Sequence, residues 1–363
     1  MTGLKKIAII TTSLGTGGAE KTAALESIMF TALGHEVTII SMHNNVVYIY
    51  KGSLLILGKD KTKNENLFVK MNKAIRLNKI LKKGNFDLIV DNRMRTNSIL
   101  VEIIMTKFVY NNFPVAYVLN LNDFSKKLQK YPLLLKILYK RAFKIISVCN
   151  QAKDHIVKQY GFKNVETIYN TFDSTLINQE KQISKLTYNY ILYFGRMLES
   201  HKNLKFLINS YYLSKLPQKG IKLLMLGDGQ DLLDFKKLVA KLKLEDKVIF
   251  MPFVENPFNY VKEALFTVLT SHFEGFPLTL IESLACSTPI VAVDCKTGPS
   301  EIVVDKYNGL LVQPNDIEIF TEALNEMVTS ISIETLSKNA KNSSIKFSEN
   351  MIAEKWNKVL DEI

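Results

Sequence analysis

Glu274 and Glu282 stand at the two ends of Glu274-Gly275-Phe276-Pro277-Leu278-Thr279-Leu280-Ile281-Glu282. The spacing places the first carboxylate in a glycine-containing loop and the second inside the helix that Pro277 can start. A carboxylate accepts paired hydrogen bonds from neighbouring hydroxyls, so one can grip a hexose while the other grips a ribose diol. Between them, the backbone N–H groups of Phe276 and of the residues from Leu278 onward open a helix N-terminus that favours an anion such as a diphosphate. A sugar nucleotide carries all three features. Helix capping is the competing reading, because a glutamate near a helix N-terminus is favourable by itself. The following residues weigh against it: Cys286-Ser287-Thr288-Pro289 reads as a turn and Ile290-Val291-Ala292-Val293 as a buried strand. Doubly wound sheets build ligand sites from such loop, helix and strand units.

Two cations sit in a similar context. Gly195-Arg196 follows the apolar run Tyr190–Phe194, and His201-Lys202-Asn203 precedes a helical pattern. Arg196 can bind a phosphate through parallel N–H groups and Lys202 as a point charge, unless both are merely solvated surface cations. Gly227 and Gly229 flank Asp228 in a tight turn after another strand; a plain turn explains them as well as a pocket wall does. Gly298-Pro299-Ser300-Glu301 has the same ambiguity at a helix start. Near the amino terminus, Gly15-Thr16-Gly17-Gly18-Ala19-Glu20-Lys21-Thr22 lies between a strand and a helix, where backbone amides can approach a phosphate. Glu20 stands where a Walker loop or a dinucleotide fingerprint needs glycine, so Gly15, Gly17 and Gly18 form either a floor for some ligand group or a structural turn. The chain has no Asp-x-Asp, which argues against a metal-bound diphosphate, and its His and Cys residues form no zinc-like cluster. No metal and no cofactor are expected.

The elements that must hold these residues follow from hydrophobic periodicity. In the first half, Ile7–Thr11, Val37–Ser41, Leu88–Val90, Val115–Leu119 and Ile145–Val148 read as strands. They alternate with helices near 18–32, 71–82, 98–109 and 133–141. The pattern restarts with strands at Tyr190–Phe194, Leu223–Leu226, Val248–Met251, Phe266–Leu269 and Ile290–Val293, and helices over 204–214 and 232–242. Alternation of this kind gives an α/β fold of two Rossmann-like, doubly wound domains with a ligand cleft between them. A chain of 363 residues with 47% apolar content can fill two cores. The expected division is 1–185, 186–345 and a last helix over 346–363, whose Ile352, Trp356 and Leu360 either cross back to the first domain or pack locally. Cys149, Cys286 and Cys295 show no redox or metal spacing, which fits a reducing cytosol. No segment reads as a signal-peptide core or a membrane span. The net charge of +12 draws anions without choosing among phosphates, nucleic acid and lipid headgroups. Residues 124–144 interleave seven Lys and Arg with Leu, Ile and Tyr. That pattern suits either a helix lying on an anionic membrane or a solvated amphipathic helix.

Taken together, Gly195-Arg196, Lys202-Asn203, Gly227-Asp228-Gly229, the Glu274 to Glu282 segment, Ser287-Thr288-Pro289 and Gly298-Pro299-Ser300-Glu301 resemble the nucleotide-binding half of the family-4 retaining glycosyltransferases. The likeness extends to the Gly15–Glu20 loop and is most specific over 190–305. It implies a GT-B fold, a sugar-nucleotide donor with UDP as the expected carrier, and metal-independent transfer with retention. By that likeness Arg196 and Lys202 hold the diphosphate, Glu274 binds donor sugar hydroxyls, and Glu282 binds ribose. Gly195, Gly227, Gly229, Gly275, Phe276, Pro277 and Leu278 line the donor site, and the Gly15 to Gly18 loop approaches phosphates and acceptor. Many members carry a histidine after the strand matching Val115–Leu119, where this chain has Asn120. On the acceptor side, Arg93 and Arg95 either meet an acceptor phosphate or are solvated, with Asn120 beside them. The expected acceptor is a saccharide, preferably lipid-linked, at the cytosolic face of a membrane and with no nucleic acid involved. Competing readings are a nucleotide-sugar epimerase or phosphorylase of the same architecture, and a basic nucleic-acid or lipid-binding protein that would leave residues 274–282 without a purpose.

Overall fold

The structure, a computed structural model, describes residues 3–15, 17–58, 66–95, 98–119, 131–179 and 186–363. It divides into two compact units, one formed by Met1–Thr171 with Glu349–Ile363 and the other by Phe172–Ser348. The boundary falls ahead of the polar stretch that begins at Asp173. The short helix Ser174–Asn178 within that stretch is tied into the second unit, where Asn256 Nδ2 donates to the Leu176 carbonyl at 3.2 Å.

The first unit holds a seven-stranded sheet: β1 (Lys6–Thr11), β2 (Glu36–Ser41), β3 (Ser53–Ile56), β4 (Leu88–Asp91), β5 (Val115–Leu119), β6 (Lys144–Ser147) and β7 (Val165–Thr167). Its order is β3-β2-β1-β4-β5-β6-β7, parallel throughout. The second unit holds β8 (Tyr190–Phe194), β9 (Lys222–Leu226), β10 (Val248–Met251), β11 (Thr267–Leu269), β12 (Ile290–Val293) and β13 (Gly309–Val312) in the order β10-β9-β8-β11-β12-β13, also parallel. Helices cover both faces of such sheets, so the central strands are continuous apolar runs. Ile7 to Ile10 in β1 and Tyr190 to Tyr193 in β8 are all buried. Each order reverses once, between β1 and β4 and between β8 and β11. The loops leaving those strands are where a doubly wound sheet opens a ligand crevice.

Three edge strands, β3, β7 and β13, carry no clear signal in the sequence because they are only three or four residues long, too short for a periodicity to stand out. The helix expected over 98–109 is split. It runs as an α-helix only over Ile99–Ile104 and widens to a π-turn over Met105–Val109. The widened turn ends on Tyr110, whose N–H donates to the Met105 carbonyl and whose ring lies under the Arg93 guanidinium, 5.8 Å from centroid to Cζ. The last helix, Glu349–Leu360, packs within the first unit, where buried Trp356 meets the Phe30 ring edge-on at 5.2 Å.

Candidate active site

The site grows from the ends of β8, β9 and β11. After β8 the chain turns at Gly195, whose N–H donates to the Leu226 carbonyl at 3.0 Å, and Met197 N–H then donates to the Asp228 carbonyl at 2.8 Å. Gly227 and Gly229 make this zipper possible. A Cβ on Gly227 would fall 2.0 Å from the Gly195 carbonyl oxygen, and one on Gly229 2.0 Å from that of Met197. Gly227 also sits at φ 144°, where a side chain is strained. The turn thus brings two strand-end loops backbone to backbone. Arg196 rides on their rim, exposed, its carbonyl accepting the Tyr193 hydroxyl at 2.7 Å.

Lys202 closes the one-turn helix Glu199–Lys202, and Asn203 in the left-handed region redirects the chain into the helix Leu204–Leu213. The β11 loop is laced to this corner. Thr270 Oγ1 donates to the Lys202 carbonyl at 3.0 Å, His272 N–H donates to the His201 carbonyl at 2.9 Å, and His201 Nε2 lies 2.9 Å from the Phe273 carbonyl with the two rings stacked. The result is a part-buried ion pair: Lys202 Nζ lies 2.6 Å from Oε1 of buried Glu274, which also accepts the Ser271 hydroxyl at 2.6 Å. Burial alone would raise the Glu274 carboxyl. Lys202 and His201 beside it, with the hydrogen bonds from Lys202 and Ser271, outweigh burial and hold it below the usual carboxylate range. Burial and the Lys202 charge push His201 the other way, below its ordinary value. Thr297 Oγ1 donates to the Glu274 carbonyl and fixes the loop from its far side.

The other residues singled out in the sequence divide by position. Phe276 and Leu278 are buried, the former T-stacked on Phe347 at 5.5 Å, so what they can offer a ligand is backbone N–H. Pro277 caps the helix Leu278–Ala285, and its Cδ lies 2.7 Å from where a Cβ on Gly298 would stand. Gly275, just ahead of Phe276, is at intermediate exposure, and Glu282 is buried within the helix. Ser271, Thr270, Thr297 and His201 had no role in the sequence reading. The available signal was a polar cluster placed directly after a buried strand, Thr270-Ser271-His272 following Leu269.

Comparison with known proteins decides the family. Residues 16–176 match the model described as Glycosyltransferase Family 4, and 175–343 the one described as Glycosyl transferases group 1. The chain is 30% identical over 348 residues, 93% of each chain, to the Campylobacter jejuni N-acetylgalactosamine-N,N'-diacetylbacillosaminyl-diphospho-undecaprenol 4-alpha-N-acetylgalactosaminyltransferase. It is a family-4 glycosyltransferase. Erwinia amylovora amylovoran biosynthesis glycosyltransferase AmsD is 25% identical, with 95% of this chain and 96% of that one covered. Staphylococcus aureus TarM, solved with fondaparinux, alpha-GlcNAc-glycerol and UDP, superposes with a TM-score of 0.80 at 15% identity over 99% of this chain and 100% of its own, which establishes the GT-B fold.

In the first unit of the glycosyltransferase, the loops after β1 and β4 meet: Asn92 N–H donates to the Ile10 carbonyl at 2.8 Å and Met94 N–H to Thr12 Oγ1 at 3.2 Å. Gly15 is buried against Asn45, whose Nδ2 would lie 2.3 Å from an added Cβ. The helix Gly18–Ala32 starts at Gly17, and the Glu20 carboxylate folds back over Gly17, where it satisfies the positive end of its own helix. Arg93 and Arg95 depart from the solvated reading of them. They are not solvated: both are buried on Asp91. Arg93 grips that carboxylate through Nε at 3.0 Å and Nη2 at 2.9 Å, and Arg95 Nη1 lies 3.3 Å from it while donating to the Arg93 carbonyl at 2.7 Å. A buried guanidinium needs a matching charge: Asp91 at the end of β4 lies against both, and Arg95 adds hydrogen bonds to the Arg93, Asp91 and Val118 carbonyls while its Nε keeps no partner among the described residues. Asn120 lies outside the described residues, as do residues 124–130 of the basic segment.

Glu26, on the same helix as Glu20, is buried next to a cavity of about 10 Å³ and accepts the Asn92 amide. Burial pushes its carboxyl up to about 8, against the lowering effect of Asn92. A raised carboxyl stabilises least at high pH. The folded state keeps a proton that the unfolded state releases, so stability falls as pH rises from about 4.5 towards 8. Glu26→Gln is therefore expected to leave stability near pH 4.5 almost unchanged and to raise it by roughly 2–3 kcal/mol at pH 7. Denaturation midpoints across that range check it, and parallel profiles for the two proteins would refute it.

Proposed function

We propose that this glycosyltransferase moves a hexose or N-acetylhexosamine from a UDP-sugar to a lipid-linked saccharide, with retention at the anomeric carbon and without a metal ion. The observation that carries the reading is the meeting of Lys202, Glu274 and Ser271 at the β8/β11 reversal with Arg196 on the rim. Cation and carboxylate there suit the two ends of one donor. Arg196 and Lys202 neutralise the diphosphate, ionised Glu274 accepts hydroxyls of the transferred sugar, and Glu282 serves the ribose. The Gly15, Gly17 and Gly18 loop takes the phosphate and acceptor side.

The bond from the anomeric carbon to the diphosphate oxygen breaks with its electron pair leaving on phosphate. The acceptor hydroxyl oxygen then bonds to the same face of that carbon and passes its proton to the departing phosphate. Positive charge on the sugar and negative charge on the leaving oxygen both peak in the transition state, where preorganised cations act most strongly. The chain offers cations but no Asp-x-Asp, which supports metal independence. Support for the carrier and acceptor comes from relatives: TarM was solved with UDP, and the C. jejuni enzyme is named for a diphospho-undecaprenol acceptor. A lipid-linked acceptor places the enzyme at a cytosolic membrane face, in contact with it through the basic segment 124–144.

A panel of sugar nucleotides tests the donor. A UDP-sugar at 100 times its Kd is expected to stabilise the protein by about 2.7 kcal/mol, read as a rise in unfolding temperature. Labelled transfer to a lipid-diphosphate saccharide, with the anomeric configuration of the product read by NMR, tests the rest. A β-linked product from an α-linked donor removes retention, activity abolished by chelator removes metal independence, and stabilisation by other nucleotides only removes UDP.

A further inference from the structure

Within the second unit, His201 fastens the Lys202 corner to the Glu274 loop through both its backbone and its ring. Its carbonyl accepts the His272 N–H at 2.9 Å, and its Nε2 lies 2.9 Å from the Phe273 carbonyl. A carbonyl only accepts, so that bond requires a proton on Nε2 and leaves Nδ1 as the atom open to a second one. The ring also lies flat on Phe273, with centroids 4.6 Å apart and planes 18° from parallel. The next residue on one side is Lys202 and on the other Glu274, so this strap stands one residue ahead of the 2.6 Å ion pair. Thr270 Oγ1 already holds the Lys202 and Asn203 carbonyls, at 3.0 and 3.2 Å. With that corner fixed, the His201 ring sets how close Phe273, and with it Glu274, stands to Lys202. The two oxygens of Glu274 differ in consequence. Oε1 takes Lys202 and the Ser271 hydroxyl, while Oε2 accepts no hydrogen bond from the described residues and faces the His201 ring, 3.8 Å from Nε2 and beyond hydrogen-bonding reach.

We propose that His201 is a positioning residue of the transfer reaction: its ring straps Phe273 so that Glu274 presents Oε2 to the donor sugar, and a second proton on that ring draws Oε2 away from it. The inference rests on the role given above to Glu274. Nε2 is committed to Phe273 and exchanges no proton with a substrate, which separates His201 from a general base. Burial and the Lys202 charge oppose a second proton on the ring, Glu274 and the bond to Phe273 favour it, and Arg196 opposes it; the balance lies below the ordinary value of 6.5. The strapped state is therefore complete above about pH 6.5 and is lost as pH falls. A proton on either His201 or Glu274 spoils the sugar site, so the acid limb of a chain with both groups lies at higher pH than that of a chain with Glu274 alone.

Two variants of the full chain separate the strap from packing. His201→Gln keeps an N–H donor for the Phe273 carbonyl and takes no proton, whereas His201→Phe keeps a ring on Phe273 and has no donor. Calorimetric titration with UDP, UDP-glucose, UDP-galactose, UDP-N-acetylglucosamine and UDP-N-acetylgalactosamine gives the ratio of Kd for UDP to Kd for the tightest UDP-sugar, which isolates the contribution of the sugar and needs no acceptor. Near neutral pH, His201→Gln is expected to keep that ratio within about 3-fold of the parent and His201→Phe to lower it about 10-fold, the worth of one positioning hydrogen bond, while Kd for UDP alone stays within about 3-fold in both. On the acid side the ratio in His201→Gln is expected to fall with a midpoint about half a unit or more below that of the parent. Nitrogen NMR of the free protein, with the His201 signals assigned by their loss in His201→Gln, is expected to show the Nε2–H ring. An unchanged far-UV spectrum and unfolding temperature confirm the folds. A His201→Phe ratio equal to that of the parent, equal losses in both variants, coincident acid midpoints or an Nδ1–H ring overturns the proposal. If Glu274→Gln leaves the ratio unchanged, the functional reading of Glu274 is what fails; if Glu274→Gln lowers it and the His201 variants match the parent, only the strap fails. A chain that binds none of the UDP-sugars overturns both.

Discussion

Asp91→Ala is expected to destabilise the first unit by about 3–5 kcal/mol, enough to abolish its folding at physiological temperature in a marginally stable protein. Asp91 is wholly buried and takes both guanidinium groups. Its removal leaves Arg93 and Arg95 facing one remaining buried carboxylate, Glu102. The penalty comes from the stranded charge and not from lost volume, which gives the prediction a control. Asp91→Asn keeps the shape and is expected to lose nearly as much. Replacing Asp91, Arg93 and Arg95 together by apolar residues of similar size is expected to recover most of the loss. Burial would raise the Asp91 carboxyl, but the two arginines and their hydrogen bonds hold it below its ordinary range. That contribution is complete above about pH 3.8 and is lost as pH falls below it. Urea unfolding of the three variants, followed by intrinsic fluorescence, measures the ordering; a mild effect of Asp91→Asn would show that packing, not charge, holds this loop.

Lys202→Ala is expected to lower kcat for sugar transfer on the order of 100- to 1,000-fold, the usual effect of removing one preorganised charge at a developing anion. Stability must be separated from chemistry, because the same change leaves Glu274 buried without its main partner. The double variant Lys202→Ala with Glu274→Gln removes the pair together. It is expected to recover stability lost in the single variant while transfer stays lost, the non-additive pattern of two groups acting on one reaction. Glu274→Gln alone is expected to weaken transfer at least as much as donor binding. The Glu274 pairing is present above about pH 4.5 and disappears as pH falls below it, so transfer is expected to fail on the acid side before the fold does. A double variant that regains activity together with stability would move Lys202 out of the chemistry and into the scaffold.

Both predictions concern buried charges, and there sequence and structure part. Arg93 and Arg95 read as surface cations from their neighbours, Asn92 and Met94, because nothing local announces that Asp91 closes a fully buried strand and receives them. Glu26 gave no signal for the same reason: within the helix Gly18–Ala32 a glutamate between leucine and serine looks solvated, and only the packing of that helix on β1, β2 and the last helix, with Asn92 against it, buries it. The splitting of 98–109 into an α-helix and a π-turn was equally hidden, since one extra residue per turn leaves the apolar pattern almost intact.

The order of the elements was legible in the chain itself. Central parallel strands are short apolar runs and helices repeat every 3.6 residues, so periodicity alone exposes the alternation, and glycine, proline and carboxylate at strand ends mark the donor loops. Those signals are local, and local chemistry survives in a linear string. Which loops meet is not local. Lys202 and Glu274 are brought within 2.6 Å only because β8 and β11 are neighbours at the point where the strand order reverses. Burial, pairing and ionisation depend on distances across the fold, and the tertiary structure alone supplies those distances.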